Sequence, residues 1–170
     1  MAYETYQVVT GMVMAIQDME NDCCSKIISI SDRGREVQCV VSGRTLVINN
    51  TTLRRGMRVA AFYDANLPTP AIYPPRYQAE IVTMLWRNQS VALAYFDENL
   101  LAADQSLQLN LDRQVKITTA NGQSYSCSPG NAELLVYYTA VTRSIPPMTT
   151  PQKIICLLYT SPSPRDSTSS

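Results

Sequence analysis

"VAAFYDANLPTPAIYPPRYQAEIV", residues 59–82, decides the fold. At its start Val59, Ala61 and Tyr63 share one face, and a period of two is the signature of a strand. The centre, "PTPAIYPPRY" at 68–77, carries four prolines and two tyrosines before a strand-like run resumes. Proline fixes φ and donates no amide hydrogen, so it cannot continue a ladder. It holds a crossing extended, with little entropy left to lose. The stretch reads as strand, stiff crossing, strand, too tightly flanked to be a linker between domains. In a barrel such a crossing borders a ligand groove, and Tyr73 and Tyr77 are expected to cover the barrel end.

A second stretch, "LLVYYTAVTRSIPPMTTPQKII" at 134–155, has the same order. Phe62-Tyr63 and Tyr137-Tyr138 each precede a proline pair, Pro74-Pro75 or Pro146-Pro147, by about ten residues, and a repeat of this kind predicts two copies of one unit. Outward from these stretches, alternation dominates. In "YQVVTGMVMAI" the even positions Tyr6, Val8, Met12, Met14 and Ile16 form the apolar face. Ile28 and Ile30 share a face, and Val37, Cys39 and Val41 point inward against Glu36 and Gln38. "SVALAYF" (90–96), "SLQLNLD" (106–112), "QVKITT" and "AELLVYYTAV" read as further strands, the second with Leu107, Leu109 and Leu111 inward. "SDRG" at 31–34, "RRG" at 54–56 and "ANGQ" at 120–123 mark turns. Helix signals are confined to a single turn at "TLRR", capped by Thr51 or Thr52, and one or two turns at "DENLLAAD".

The expected fold is all-β with little helix: two small five-stranded barrel-like units in tandem, of the oligonucleotide/oligosaccharide-binding (OB-like) type. Residues 6–87 form the first unit and 90–155 the second, which is read as truncated at its end. A single larger sandwich fits the strand count nearly as well.

The last fifteen residues are expected to be foreign to the fold. "CLLYTSPSPRD", 156–166, back-translates in one frame into a string that resembles the transposon-end adapter of short-read sequencing. Residues 156–170 are accordingly left out of fold reasoning as an artefactual, disordered tail.

The segments "FYDANLPTPAIYPPRYQA", "YFDENLLAADQSLQLNL" and "TRSIPPMTTPQKII" resemble, in the same order, an uncharacterised group of small proteins from anaerobic Gram-positive bacteria. The resemblance spans most of residues 6–155. It implies one shared architecture and a bacterial, cytosolic or cell-associated setting, and it brings no activity, cofactor or catalytic residue with it.

Composition narrows the chemistry. Fourteen basic and fourteen acidic residues cancel, which argues against a general nucleic-acid or acidic-membrane binder. The absence of histidine removes the commonest general base and zinc ligand. Cys23, Cys24, Cys39 and Cys127 form no CxxC pair and read as free thiols in a reducing compartment. The start lacks a signal peptide, and no apolar run approaches the roughly 20 residues a membrane span needs, so a cytoplasmic location is expected. No metal and no cofactor are implied. "DMENDC", 18–23, lacks the glycine and terminal glutamate of a calcium loop.

Remaining candidates are weighed on their neighbours. "PPRY", 74–77, matches a WW-domain ligand motif, but it sits between strands and reads as structure. Arg33, Arg35, Arg44, Arg54, Arg55, Arg58, Arg76 and Arg87, with Tyr63, Tyr73, Tyr77 and Trp86, are a candidate stacking surface for single-stranded nucleic acid. Eight acids against nine bases in residues 1–87 dilute it. Asp64, Asp97, Glu98 and Asp104 lie near strand ends without the pairing that glycoside hydrolysis requires; Asp64 and Asp97 read as turn or cap residues.

The expected function is therefore a non-catalytic binding or assembly module with a protein partner or itself, touching through its crossings and sheet edges. Binding candidates are Tyr63, Tyr73, Arg76 and Tyr77 in the first crossing and Arg143 in the second. The alternative is an oligosaccharide or single-stranded nucleic-acid binder using an OB-like face.

Overall fold

The computed structural model describes residues 2–159, with side chains through Leu157. It is almost entirely β; among the described residues the helical content is one three-residue 3-10 turn, Ile48–Asn50. The chain divides into two compact units, residues 5–87 and residues 88–159 with 2–4. Each has its own buried apolar cluster.

The first unit contains β1 (Tyr6–Met19), β2 (Asp22–Asp32), β3 (Arg35–Val41), β4 (Leu46–Val47), β5 (Arg58–Asp64), β6 (Arg76–Gln78) and β7 (Ile81–Met84). They form one sheet in the order β4-β7-β5-β1-β2-β3-β6. β4 runs parallel to β7 and β3 parallel to β6; the other pairs are antiparallel. Strands β6 and β7 are separated by Ala79 and Glu80. Ala79 N–H donates to Val40 of β3, and Glu80 N–H donates to Phe62 of β5.

The expected inward residues Val37, Cys39, Val59, Ala61, Ile28 and Ile30 are all in the first core. The apolar face assigned to β1 is corrected. Val8, Met12 and Met14 are exposed, while Val9 and Val13 are buried. A bulge between Val13 and Ala15 shifts the register, so that Ile16 packs on the core again. An extra residue in a strand reverses its inside-outside parity, and alternation read through the bulge picks the wrong face.

The second unit contains β8 (Ser90–Phe96), β9 (Gln108–Leu109), β10 (Lys116–Thr119), β11 (Ala132–Tyr138), β12 (Met148–Thr149) and β13 (Lys153–Tyr159). β10-β13-β11-β8 form a four-stranded sheet, parallel between β10 and β13 and antiparallel elsewhere. β9 and β12 pair in parallel. "SLQLNLD" is a strand for two residues only, although Leu107 and Leu109 are buried as expected. The expected helical turns at 52–55 and 97–104 are absent. The second is a tight turn closed by a Phe96–Ala102 bridge, because the Asp97 carboxylate accepts the Asn99 and Leu101 amides and holds the chain non-helical. β13 carries the fold past residue 155: Cys156 is buried and pairs with Leu134. The remainder of the tail, residues 160–170, lies outside the described residues.

Candidate functional site

The first crossing leaves β5 at Asp64. One carboxylate oxygen accepts the Thr5 hydroxyl at 2.7 Å and the Asn66 amide at 3.0 Å, so this residue shapes the turn, as its position in the sequence suggested. Asp104 likewise accepts the amide and hydroxyl of Ser106.

Beyond Asp64 the chain displays apolar side chains. Leu67 and Ile72 are about half exposed and Tyr73 is 86% exposed, immediately before a cis peptide to Pro74. The chain then re-enters the sheet. The Pro75 carbonyl accepts the Gln38 amide at 2.8 Å, and Arg76 places Nε and Nη2 at 3.1 and 2.9 Å from Gln38 Oε1. That fork ties β6 to β3. Tyr77 follows and stacks on Tyr63. Burial, with Tyr77 as the next influence, pushes the Tyr63 hydroxyl up to about 12. The structure thus brings Tyr63 and Tyr77 together against the core, ties Arg76 to a neighbouring strand, and directs Tyr73 outward.

The second crossing has matching features. Gln108 N–H donates to the Pro147 carbonyl at 2.8 Å, as Gln38 does to Pro75. Ile145 precedes a cis peptide to Pro146, in the position Tyr73 holds before Pro74, and it is 99% exposed. The loop beneath it is closely braced. Thr142 N–H donates to the Met148 carbonyl at 2.8 Å and its Oγ1 accepts the Met148 amide at 3.0 Å, Ser144 Oγ donates to the Pro146 carbonyl at 2.9 Å, and Thr149 Oγ1 donates to the Ala140 carbonyl at 2.6 Å. Arg143 is exposed on the same loop. Sequence reasoning selected Arg143 and missed Ile145; the available signal was its place ahead of the proline pair, matching Tyr73. Each crossing carries one charge, Arg76 within 65–79 and Arg143 within 139–152.

The arginines proposed as a nucleic-acid surface are dispersed over several turns: Arg33 lies in the β2–β3 turn and Arg35 follows it, Arg44 follows β3, and Arg54 and Arg55 precede β5. Among the hollows lined by described residues, two lie in the first unit and another, of about 350 Å3, lies in the second beside Thr142 and Met148. In the first unit one, of about 370 Å3, lies on the β1–β2–β3 face with Met14, Gln17, Ser29, Ser31, Glu36 and Gln38 around it. The other, of about 170 Å3, is lined mainly by aliphatic side chains. Among the described residues no group of three or more Cys, Asp or Glu is placed to hold a metal, and no helix is long and apolar enough to cross a membrane. Cys23, Cys24 and Cys127 are exposed, whereas burial pushes the Cys39 thiol up to about 12.

No protein-family model matches this chain, and no curated protein matches it.

Proposed function

We propose that the chain is a non-catalytic binding or assembly module built from two OB-like units that meet a partner through their proline crossings and the adjoining sheet edges. The carrying observation is that both crossings display a large, exposed side chain in the same place, Tyr73 and Ile145, each just ahead of a proline pair. Exposed apolar groups on braced loops are features of contact surfaces.

Hydrogen bonding supports the OB-like reading. From β1 the pairing passes to β2, β3 and β6; two residues later the chain is β7, which pairs with β5 and through it with β1 again. Register supports a duplicated unit. Val47 opposes Val82 as Ile117 opposes Ile154, in parallel in both places. Gly11 opposes Val59 as Ala94 opposes Leu134, in antiparallel. The resemblance to proteins of anaerobic Gram-positive bacteria fits a bacterial, cytoplasmic role.

The test is photo-crosslinking in an extract of a bacterium that carries the gene. Benzoylphenylalanine at position 73 or 145 is expected to capture the same partner, and the same group at Asn99 to capture nothing. Folded protein that captures nothing from either tip would overturn the reading.

A second reading, an oligosaccharide or single-stranded nucleic acid on the OB-like face, draws on the polar hollow over β1–β2–β3. Retention on heparin or single-stranded DNA that weakens with salt is its expected sign. Flow-through at low salt on both would remove the nucleic-acid form, and a flat titration against oligosaccharide arrays would remove the other.

A further inference from the structure

We propose that Lys153 is the nucleophilic amine of this chain, a modification site whose acyl donor is an acyl phosphate. The inference is independent of the partner reading above, and either can fail without the other.

The chain has three lysines, Lys26, Lys116 and Lys153, in three different settings. Lys26 is exposed and paired with Asp18 at 2.6 Å. Lys116 and Lys153 each begin a strand, β10 and β13, and the two are register partners in that parallel pair. Paired strands lie about 4.8 Å apart and partners leave the same face of the sheet, so the two side chains are neighbours. Among the described residues neither forms an ion pair. Acids on the surrounding segments are placed elsewhere. Asp112 accepts the Gln114 amide and is followed by Arg113, while Glu133 opposes Leu158, towards the far end of β13.

Two ammonium groups side by side without a counter-ion repel, and the repulsion is relieved when one gives up its proton. Burial selects which. Lys116 is exposed and keeps its hydration. Lys153 is partly buried, its Nζ 4.3 Å from the centre of the Tyr137 ring, which is its register partner on the other side. The ring face favours an ammonium. Burial, followed by the Lys116 charge, outweighs it and lowers the Lys153 pKa. Lys116 on β10 and Tyr137 on β11 are the titratable groups that face Lys153 from the strands paired with it. A lysine that is partly desolvated beside a second cation is an activated nucleophile, and the ring fixes where it stands.

The neighbouring charge also selects the donor. An acyl phosphate carries its negative charge on the group that leaves, and the exposed Lys116 ammonium stands beside the attacking amine to receive it. In the step, the neutral Lys153 Nζ adds to the acyl carbonyl carbon. The bond from that carbon to the phosphate oxygen breaks, inorganic phosphate leaves with the electron pair, and the amine proton passes to solvent. An amide replaces a mixed anhydride, and nothing is oxidised or reduced. The product is uncharged, so acylation ends the repulsion across β10 and β13 and removes the cation from the Tyr137 ring.

The test treats the full chain with acetyl phosphate at about pH 8 and follows each lysine by peptide mass spectrometry. In the folded protein Lys153 is expected to react at least about fivefold faster than Lys26 or Lys116, and in urea the three should become alike. Its rate should level off at a lower pH than theirs. Lys116→Gln should slow Lys153 at least about threefold, whereas Lys116→Arg, which keeps the charge, stays within about twofold. Circular dichroism and a cooperative melt verify that both variants are folded. Added inorganic phosphate should slow Lys153 more than Lys26. A Lys153 no faster than Lys26 in the folded protein overturns the inference, as does an unchanged Lys153 rate in folded Lys116→Gln. If Lys153 leads with acetic anhydride, a neutral donor, but not with acetyl phosphate, the assignment of the donor is overturned.

Discussion

Tyr63 of β5 and Tyr77 of β6 stack face to face, with ring centroids 4.0 Å apart and planes 12° from parallel. Both rings pack on the first core, and Cys39, fully buried, is the register partner of Tyr77 on β3. Removing the Tyr77 ring takes away a stacked pair and leaves a void beside the core. Tyr77→Ala is expected to cost about 3 kcal/mol in urea unfolding. Tyr73→Ala, four residues earlier but 86% exposed, should stay within about 0.5 kcal/mol. Equal losses from the two would mean that Tyr73 packs in solution or that the stack does not form.

Gly11 sits where β1 begins to pair with β2. A Cβ built there would lie 2.0 Å from the Ser31 carbonyl oxygen and 2.9 Å from the Ile30 side chain. The backbone on the far side cannot give way without breaking the β1–β2 ladder. Gly11→Ala should therefore destabilise by about 3 kcal/mol. Gly43→Ala, with open space around it, should stay within about 0.5 kcal/mol. Matched urea midpoints for the two variants would refute the close approach.

Arg33 and Gly34 make the two-residue turn between β2 and β3, with φ of 54° and 83°. Both positions are left-handed, which asparagine tolerates better than arginine. The Arg33 side chain is 95% exposed and lies 4.0 Å from Asp32, so little is lost with it. Arg33→Asn is expected to raise stability by about 0.5 kcal/mol, read from the thermal midpoint. A drop would show that the guanidinium matters more than the backbone.

Glu133 in β11 is 3% exposed, and its Oε1 has no hydrogen-bond partner among the described residues. Burial raises its pKa above 4.5, outweighing the donation from the Ala2 amide. The folded state thus holds its proton to higher pH than the unfolded chain. Stability is greatest below the unfolded value and declines as pH rises through the folded one. Glu133→Gln removes the buried charge and keeps an acceptor for Ala2. It should exceed the wild type in urea midpoint at about pH 7.5, with the gap narrowing towards about pH 4. A gap that does not change with pH would assign the effect to packing.

The crossings and most strands were legible because proline and alternation are local signals. Val59, Ala61 and Tyr63 face the first core as their spacing predicts, and β8 matches "SVALAYF" residue for residue. Where the local signal is broken, the reading failed. The bulge at Met14 inverted the face of β1, and "SLQLNLD" has the alternation of a strand yet pairs over two residues. The candidate site split along the same line. Arg143 and Tyr73 could be chosen by type and position, but Ile145 has the same one-letter code as the fully buried Ile154.

The chain's own sequence determined that it is built of strands, where prolines interrupt them, and that histidine chemistry is excluded, because these follow from residue type and from neighbours along the chain. Which tyrosine stacks and which projects, which face of β1 is wet, and which two lysines share a register position were decided by tertiary structure. Each depends on what a distant strand places opposite, and no period along one strand encodes that.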